Sequence, residues 1–324
     1  MTVSTASATP LAATALALAL VLTGCGSNRT AESPSPADTS AEAETTAVAA
    51  PDACPTAPVD VVVSVDQWGD IVSELGGACT AVTTVLASSS VDPHDYEPSP
   101  ADASSFAGAK LVVVNGADYD HWAKDLAATS APGAPVISAA EVTRTPDGAN
   151  PHLWYSPAAV TAVADAVSAE LAKIDPAAAE YFTERREAFT TTMEPYSTLI
   201  DTIKKGASGK SYAATESVFD YQAEALGLVN KTPEGYRRSA ANESEPTPAD
   251  IEAFRKALSD KQIDVLIYNT QTEGSIPEQI RSTAEQSGVP VVEVTETVAP
   301  GETTFVGWQD KQLAALAEAL GVKP

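Results

Sequence analysis

Two short stretches carry the residue types most able to do chemistry here. His94 stands in Pro93-His94-Asp95-Tyr96 and is soon followed by Ser99-Pro100-Ala101. His152 stands in Pro151-His152-Leu153-Trp154 and is followed by Ser156-Pro157-Ala158. The chain has only three histidines, so two of them share one pattern. In each, a proline stiffens the backbone before the imidazole, an aromatic comes two places later, and Ser-Pro-Ala predicts a helix start. Serine caps the free N–H groups of a first turn, and proline fits there because its missing N–H would be unpaired anyway. Two imidazoles on separate, stiff loops are what a first-row metal ion needs.

Two imidazoles leave such an ion under-coordinated. Oxygen ligands are expected at strand ends, because in open α/β sheets ligands bind outside the carboxyl ends of strands. Glu216 closes the predicted strand Ser211–Thr215, and Glu296 closes Pro290–Thr295. The expected ligand set is therefore His94, His152, Glu216 and Glu296. Glu293 competes with Glu296, but the two have opposite parity on a strand and should point to opposite faces. His121, in Asp120-His121-Trp122, lacks the flanking pattern and is not expected to bind. Asn115, Asn269 and Gln271 are admissible as donors that orient the ligands.

The elements that must position these groups alternate between strand and helix from Val59 onward. Short apolar runs at Asp60–Val65, Ala81–Ala87, Lys110–Asn115 and Pro135–Ser138 suit a parallel sheet covered on both faces. Helical stretches at Gln67–Leu75, Pro100–Ala107 and His121–Ala127 lie between them. A second set follows, with strands Ser211–Thr215, Asp264–Tyr268 and Pro290–Thr295 and helices Ser217–Ala225, Pro248–Ser259, Pro277–Ser287 and Trp308–Leu320. Ser99 and Thr247 each open a cap-Pro-Ala-Asp layout, which favours reciprocal capping. Lys231–Pro246 is polar and rich in turn residues and is expected as a loop. After the helix Pro157–Lys173, a second helix from Asp175-Pro176 to about Lys205 would measure about 45 Å at about 1.5 Å per residue. The fold class is thus α/β: two lobes, each a parallel sheet flanked by helices, joined by one long linking helix, with the metal in the cleft between them. The expected divisions are a first lobe over 59–175, the linking helix over 176–206 and a second lobe over 207–324.

Ahead of this body, Leu11–Leu22 is almost wholly Ala, Leu, Val and Thr and ends in Leu22-Thr23-Gly24-Cys25. The run is too short to span a bilayer, which takes about 20 apolar residues. Its ending resembles the bacterial lipobox, so 1–24 reads as a lipoprotein signal peptide and Cys25 as the lipidated residue. No Lys or Arg precedes the apolar run, which departs from the usual export signal. Residues 25–58 hold almost no large apolar side chains and read as a disordered tether. Cys54 and Cys79 remain as an even pair, which in an exported protein suggests a disulfide, the alternative being two buried thiols. The chain of 324 residues carries 19 Lys and Arg against 44 Asp and Glu, a formal net charge of −25. That balance disfavours nucleic acid, whose binding rests on cationic neutralisation of phosphate.

The motifs also resemble a known family. Asp92-Pro93-His94-Asp95-Tyr96-Glu97-Pro98-Ser99-Pro100-Ala101-Asp102 is similar to the first-ligand motif of the metal-binding lipoproteins that serve zinc and manganese ABC importers. Pro151-His152-Leu153-Trp154 resembles the second-ligand motif. Thr215-Glu216-Ser217-Val218-Phe219-Asp220-Tyr221 resembles the third, where zinc-type members usually have His and manganese-type members often Glu. Val294-Thr295-Glu296-Thr297 falls where the family usually has Asp. The resemblance covers Val59 to Leu320. It implies an extracytoplasmic, lipid-anchored, monomeric receptor that captures one divalent cation and delivers it to a permease and ATPase. Two imidazoles with two carboxylates, and no His-rich loop, favour manganese, with zinc next. A metal-dependent hydrolase would use an open position for water, but no HExxH or GxSxG is present. An adhesin or metal sensor on the same scaffold is the third reading.

Overall fold

The valine-rich run Val59–Val65 forms β1, and all but one of its residues are buried, as befits a strand covered on both faces. The structure is a computed structural model and describes residues 53–87, 96–242, 244–272 and 274–323. The lipobox, most of the tether and His94 lie outside these residues. Strand β1 is followed by α1 (Asp66–Gly76), β2 (Thr80–Leu86), α2 (Pro100–Ser105), β3 (Leu111–Val114), α3 (His121–Ser130), β4 (Val136–Ser138), α4 (Ala139–Thr143) and α5 (Pro157–Ile174). These strands pair in parallel in the order β2-β1-β3-β4.

Beyond α5 run α6 (Ala179–Thr192) and α7 (Glu194–Ala207). The second lobe contains β5 (Ser211–Ala214), α8 (Asp220–Ala225), β6 (Val229–Asn230), α9 (Glu234–Ala241), α10 (Pro248–Ser259), β7 (Val265–Asn269), α11 (Ser275–Ser287), β8 (Val291–Val294) and α12 (Phe305–Ala319). Its sheet is also parallel, in the order β6-β5-β7-β8. Ser99 and Thr247 form reciprocal capping boxes with Asp102 and Asp250, and Ser156 Oγ accepts from the Ala159 N–H at the start of α5.

Two expectations need correction. The stretch between α5 and β5 is two helices in series rather than one. Pro195 stands in the first turn of α7 and has no N–H to offer the carbonyl four residues back, so the helical ladder breaks. The chain stays close to helical across the joint: the Met193 N–H donates to the Phe189 carbonyl and the Ser197 N–H to that of Met193, both at 3.0 Å. The joint falls where the chain changes partners, since α6 packs on α1 and α5 and α7 packs on α12. The second correction is α9, which lies inside the segment expected as a loop. Only Tyr236 in it is buried, so its sequence has no apolar stripe to show a helical period.

Most of the hydrophobic core is continuous across both sheets, running from the β1 valines through Trp68, Trp154 and Phe182 to Trp308 and Leu313. A smaller cluster around Phe254, Leu258 and Ile280 fills the outer side of the second sheet. Cys54 and Cys79 are bonded, with Cα atoms 4.9 Å apart, inside the usual span for a disulfide. The bond fastens the segment before β1 to the short 3-10 turn after α1. Among the described residues no helix is long and apolar enough to cross a membrane.

Candidate metal centre

In both sheets the chain builds outward from a central strand in one direction and then reverses, so each has a switch point, between β1 and β3 and between β5 and β7. Crevices form there, outside the carboxyl ends of the strands. Three of the expected ligands follow strands in the chain: His152 comes after β4 and α4, Glu216 after β5, and Glu296 after β8; His94 lies outside the described residues.

In the first lobe, β3 runs into Asn115, a fully buried residue. Its Oδ1 accepts from Trp68 Nε1 at 3.0 Å, and its Nδ2 donates to the carbonyls of Gly116 at 3.0 Å and Pro151 at 2.8 Å. The backbone just before His152 is thereby fixed to the sheet. The next residues, Gly116, Ala117 and Asp118, all have positive φ, a conformation that costs non-glycine residues energy. A Cβ on Gly116 would meet Ser138 Oγ at 2.4 Å. Asp120 stabilises the turn by accepting from the N–H groups of Asn115 at 2.7 Å and Gly116 at 2.8 Å and from the Ser64 hydroxyl. Burial holds its carboxyl above the usual range. The outcome is a buried Tyr119 whose hydroxyl accepts from Gln67 Nε2 at 2.8 Å and hydrogen-bonds the Glu296 side chain. Burial first, then the Glu296 charge, push the Tyr119 pKa well up, so this hydroxyl stays protonated.

His152 is only 5% exposed and Glu296 7%. Nε2 of His152 faces Oε1 of Glu296 at 3.6 Å, a contact that joins the two lobes. His152 Nδ1 lies 2.7 Å from Asn150 Oδ1. An amide oxygen can only accept, so this contact places the proton on Nδ1 and turns the Nε2 lone pair toward the carboxylate. An imidazole nitrogen and a carboxylate oxygen are both groups that can ligate one cation.

Glu216 accepts from Asn269 Nδ2 at 2.5 Å. Burial is the main cause that raises its pKa; the charge of Glu296 adds to the rise, and His152 opposes it. Glu216, Glu296 and His152 thus feel one another electrostatically. A desolvated carboxylate beside a second one favours an incoming positive charge. The segment bearing Glu296 is clamped from both lobes. Gln271 Oε1 accepts from the N–H groups of Glu296 at 2.6 Å and Thr297 at 2.9 Å, and Gln67 Nε2 donates to the Glu296 carbonyl at 3.1 Å.

The competitors lie elsewhere. Glu293 is exposed and paired with Arg281 at 2.6 Å. His121 is exposed at the first position of α3. Among the described residues no three His, Cys, Asp or Glu side chains form a group able to hold an ion; His94 is outside those residues. Asn269 donates to Glu216 and Gln271 accepts from the Glu296 N–H, while Asn115 holds the Pro151 carbonyl next to His152. Sequence reasoning missed Asn150, Tyr119 and Gln67. Asn150 carried a local signal, since Asn often turns its side chain onto backbone two residues on, and here it accepts from the His152 N–H at 3.1 Å. Gln67 and Tyr119 carried none, because their partners are remote in the chain.

With this geometry in view, comparison with known proteins is decisive. The family model described as zinc-uptake complex component A, periplasmic (ZnuA), matches residues 61–319. The chain belongs to this family. The high-affinity zinc uptake system protein ZnuA of Bacillus subtilis is 22% identical over 217 residues, covering 61% of this chain and 67% of that protein. The manganese-binding lipoprotein MntA of Halalkalibacterium halodurans is 23% identical over 250 residues, 74% of this chain and 80% of its own length. In fold, the chain is similar to the periplasmic zinc binding protein TroA of Treponema pallidum, with a TM-score of 0.68, 18% identity, and coverage of 81% of this chain and 99% of that one. Members of the family are extracytoplasmic substrate-binding proteins of ABC metal importers, not enzymes, and work with permease and ATPase components. The hydrolase reading therefore falls away.

Proposed function

We propose that this chain is a lipoprotein, lipidated at Cys25, that captures one divalent transition metal ion between its lobes and passes it to its importer as a monomer. His94 and His152 bind as neutral imidazoles, Glu216 and Glu296 as carboxylates. Residues 1–24 are the signal peptide, 25–58 the tether, 59–175 and 207–324 the lobes, and 176–206 the helical link. The observation that carries this reading is the contact between His152 Nε2 and Glu296 Oε1 at 3.6 Å across the lobes, with the Glu216 carboxylate coupled to both.

Manganese is the favoured cargo and zinc the next. Half of the proposed ligands are carboxylates, which manganese accepts well, while a third imidazole would favour zinc. Zinc is still expected to bind more tightly in vitro, because affinity rises along the first row from manganese to zinc whatever the cargo in the cell. Four protein ligands leave no position for a reactive water, which suits carriage. Calorimetric titration of the metal-free chain with manganese and with zinc tests the reading. One ion per chain is expected, with a large loss of affinity in His94→Ala; unchanged affinity in that variant removes His94 from the site.

A further inference from the structure

We propose that Asn150 is the positioning residue of metal capture: one side chain sets the tautomer of His152 and ties the His152 loop to the Glu216 loop of the opposite lobe. This rests on the reading above for its cargo, but the geometry stands independently. Asn150 Oδ1 accepts from the His152 N–H at 3.1 Å and faces His152 Nδ1 at 2.7 Å. Its Nδ2 donates to the Ser217 carbonyl at 2.8 Å. Its own carbonyl accepts from the Tyr221 hydroxyl at 2.8 Å.

The two ends of an amide look alike, but here each end is typed by its neighbour. A backbone N–H stands on one side and a backbone carbonyl on the other. The reverse orientation would set a donor against a donor and an acceptor against an acceptor. Oδ1 therefore faces His152, Nδ1 carries the proton, and the lone pair is on Nε2, the nitrogen turned to Glu296.

The opposite end of the same side chain is spent on Ser217, the neighbour of Glu216. Two hydrogen bonds, Asn150 to Ser217 and Tyr221 to Asn150, cross the lobes beside the candidate ligands. The Pro151 carbonyl of the His152 loop is held within its own lobe by Asn115, so the loop keeps that anchor when the bridge breaks. Separation of the lobes takes away the Ser217 carbonyl, so the amide keeps only its His152 partners and holds the imidazole less firmly. Capture and closure then share one residue, and so do opening and release.

The test uses the full metal-free chain and nitrogen NMR of its histidines, of which there are three; His94→Ala and His121→Ala assign the signal of His152. Wild type and Asn150→Asp, which keeps an acceptor oxygen, are expected to show a protonated Nδ1. Asn150→Leu is expected to lose that preference and to bind manganese about 10- to 100-fold more weakly, the usual cost of removing a group that orients a ligand. Asn150→Asp lacks the donor to Ser217 and is expected to release manganese faster than wild type, read by stopped-flow chelation. A protonated Nδ1 with wild-type affinity in Asn150→Leu overturns the positioning role. Unchanged release in Asn150→Asp overturns the bridge. If wild type shows the Nδ1 proton and the leucine variant loses it, yet manganese does not bind wild type, the positioning of the ring holds and the cargo assignment fails.

Discussion

The two lobes solve one problem with the same topology and different chemistry. Each sheet has the same strand order, and each third strand in chain order leads into a buried asparagine, Asn115 after β3 and Asn269 at the end of β7. Asn115 spends its amide on backbone, holding Pro151 and Gly116. Asn269 donates directly to the Glu216 carboxylate. The difference follows from the ligands. A neutral imidazole has one N–H left once its other nitrogen faces a metal, so it is oriented by an acceptor and by a fixed loop. A carboxylate has several lone pairs and is oriented by donors: Asn269 for Glu216, Tyr119 for Glu296. His152 is therefore placed by a loop fixed at Asn115 and by the acceptor Asn150, Glu216 by the donor Asn269.

This contrast is sharpest in paired variants. Asn115→Leu leaves the Trp68 indole and the Pro151 carbonyl buried without partners, and a loss of about 4 kcal/mol is expected in urea unfolding, at about 1–3 kcal/mol for each orphaned group. Asn269→Leu is expected to cost less stability but to weaken metal binding about 10- to 100-fold in calorimetric titration. Equal stability losses with equal affinities would erase the distinction between the lobes.

Next in size is the disulfide, which only the first lobe has. Its loop spans 25 residues, and a double Cys54→Ser, Cys79→Ser variant is expected to lose about 3 kcal/mol of stability. Metal affinity should be unchanged, because the bond lies at the opposite end of β1 from the site.

The seam between lobes carries a pH signature. Asp66, at the start of α1, is largely buried, and burial pushes its pKa from 3.8 up to about 6, against a smaller opposing pull from the Val298 backbone of the second lobe. The folded protein thus holds this proton more tightly than the unfolded chain. The stabilisation is fully present below pH 3.8 and is lost as pH rises through about 6. A shift of this size is worth up to about 3 kcal/mol. Asp66→Asn, which mimics the protonated form, should be more stable than wild type at pH 7.5 by up to about that amount and nearly equal to it at pH 4. The opposite order of the two pH values would contradict the assignment of burial as the cause.

How much of this was legible in the sequence depends on reach along the chain. Apart from β6, whose two exposed residues give no apolar run, the strands were readable because their apolar runs are local, and the caps at Ser99, Ser156 and Thr247 because capping is local too. The break at Pro195 was also written locally, in a proline too deep for the first turn of the incoming helix, but the apolar spacing on either side hid it. α9 was unreadable because its exposed, polar surface gives no period. Around the candidate site, strand-end position drew attention to Glu216, and the expected opposite parity of Glu293 and Glu296 agrees with Glu293 being exposed and Glu296 buried. Tyr119 and Gln67 escaped because their roles exist only once the lobes meet. The smallest expected effect belongs to the spine: Pro195→Ala restores one helical donor between α6 and α7 and should change stability by less than about 1 kcal/mol, with no change in affinity.

The central claim is that two imidazoles from the first lobe and two carboxylates from the second share one cation. X-ray absorption on the zinc-loaded full chain tests it most directly. The account predicts a shell of nitrogen and oxygen near about 2.0–2.2 Å, with outer scattering from two imidazoles, falling to one in His152→Ala. A spectrum without imidazole scattering, or one unchanged by that substitution, would contradict it.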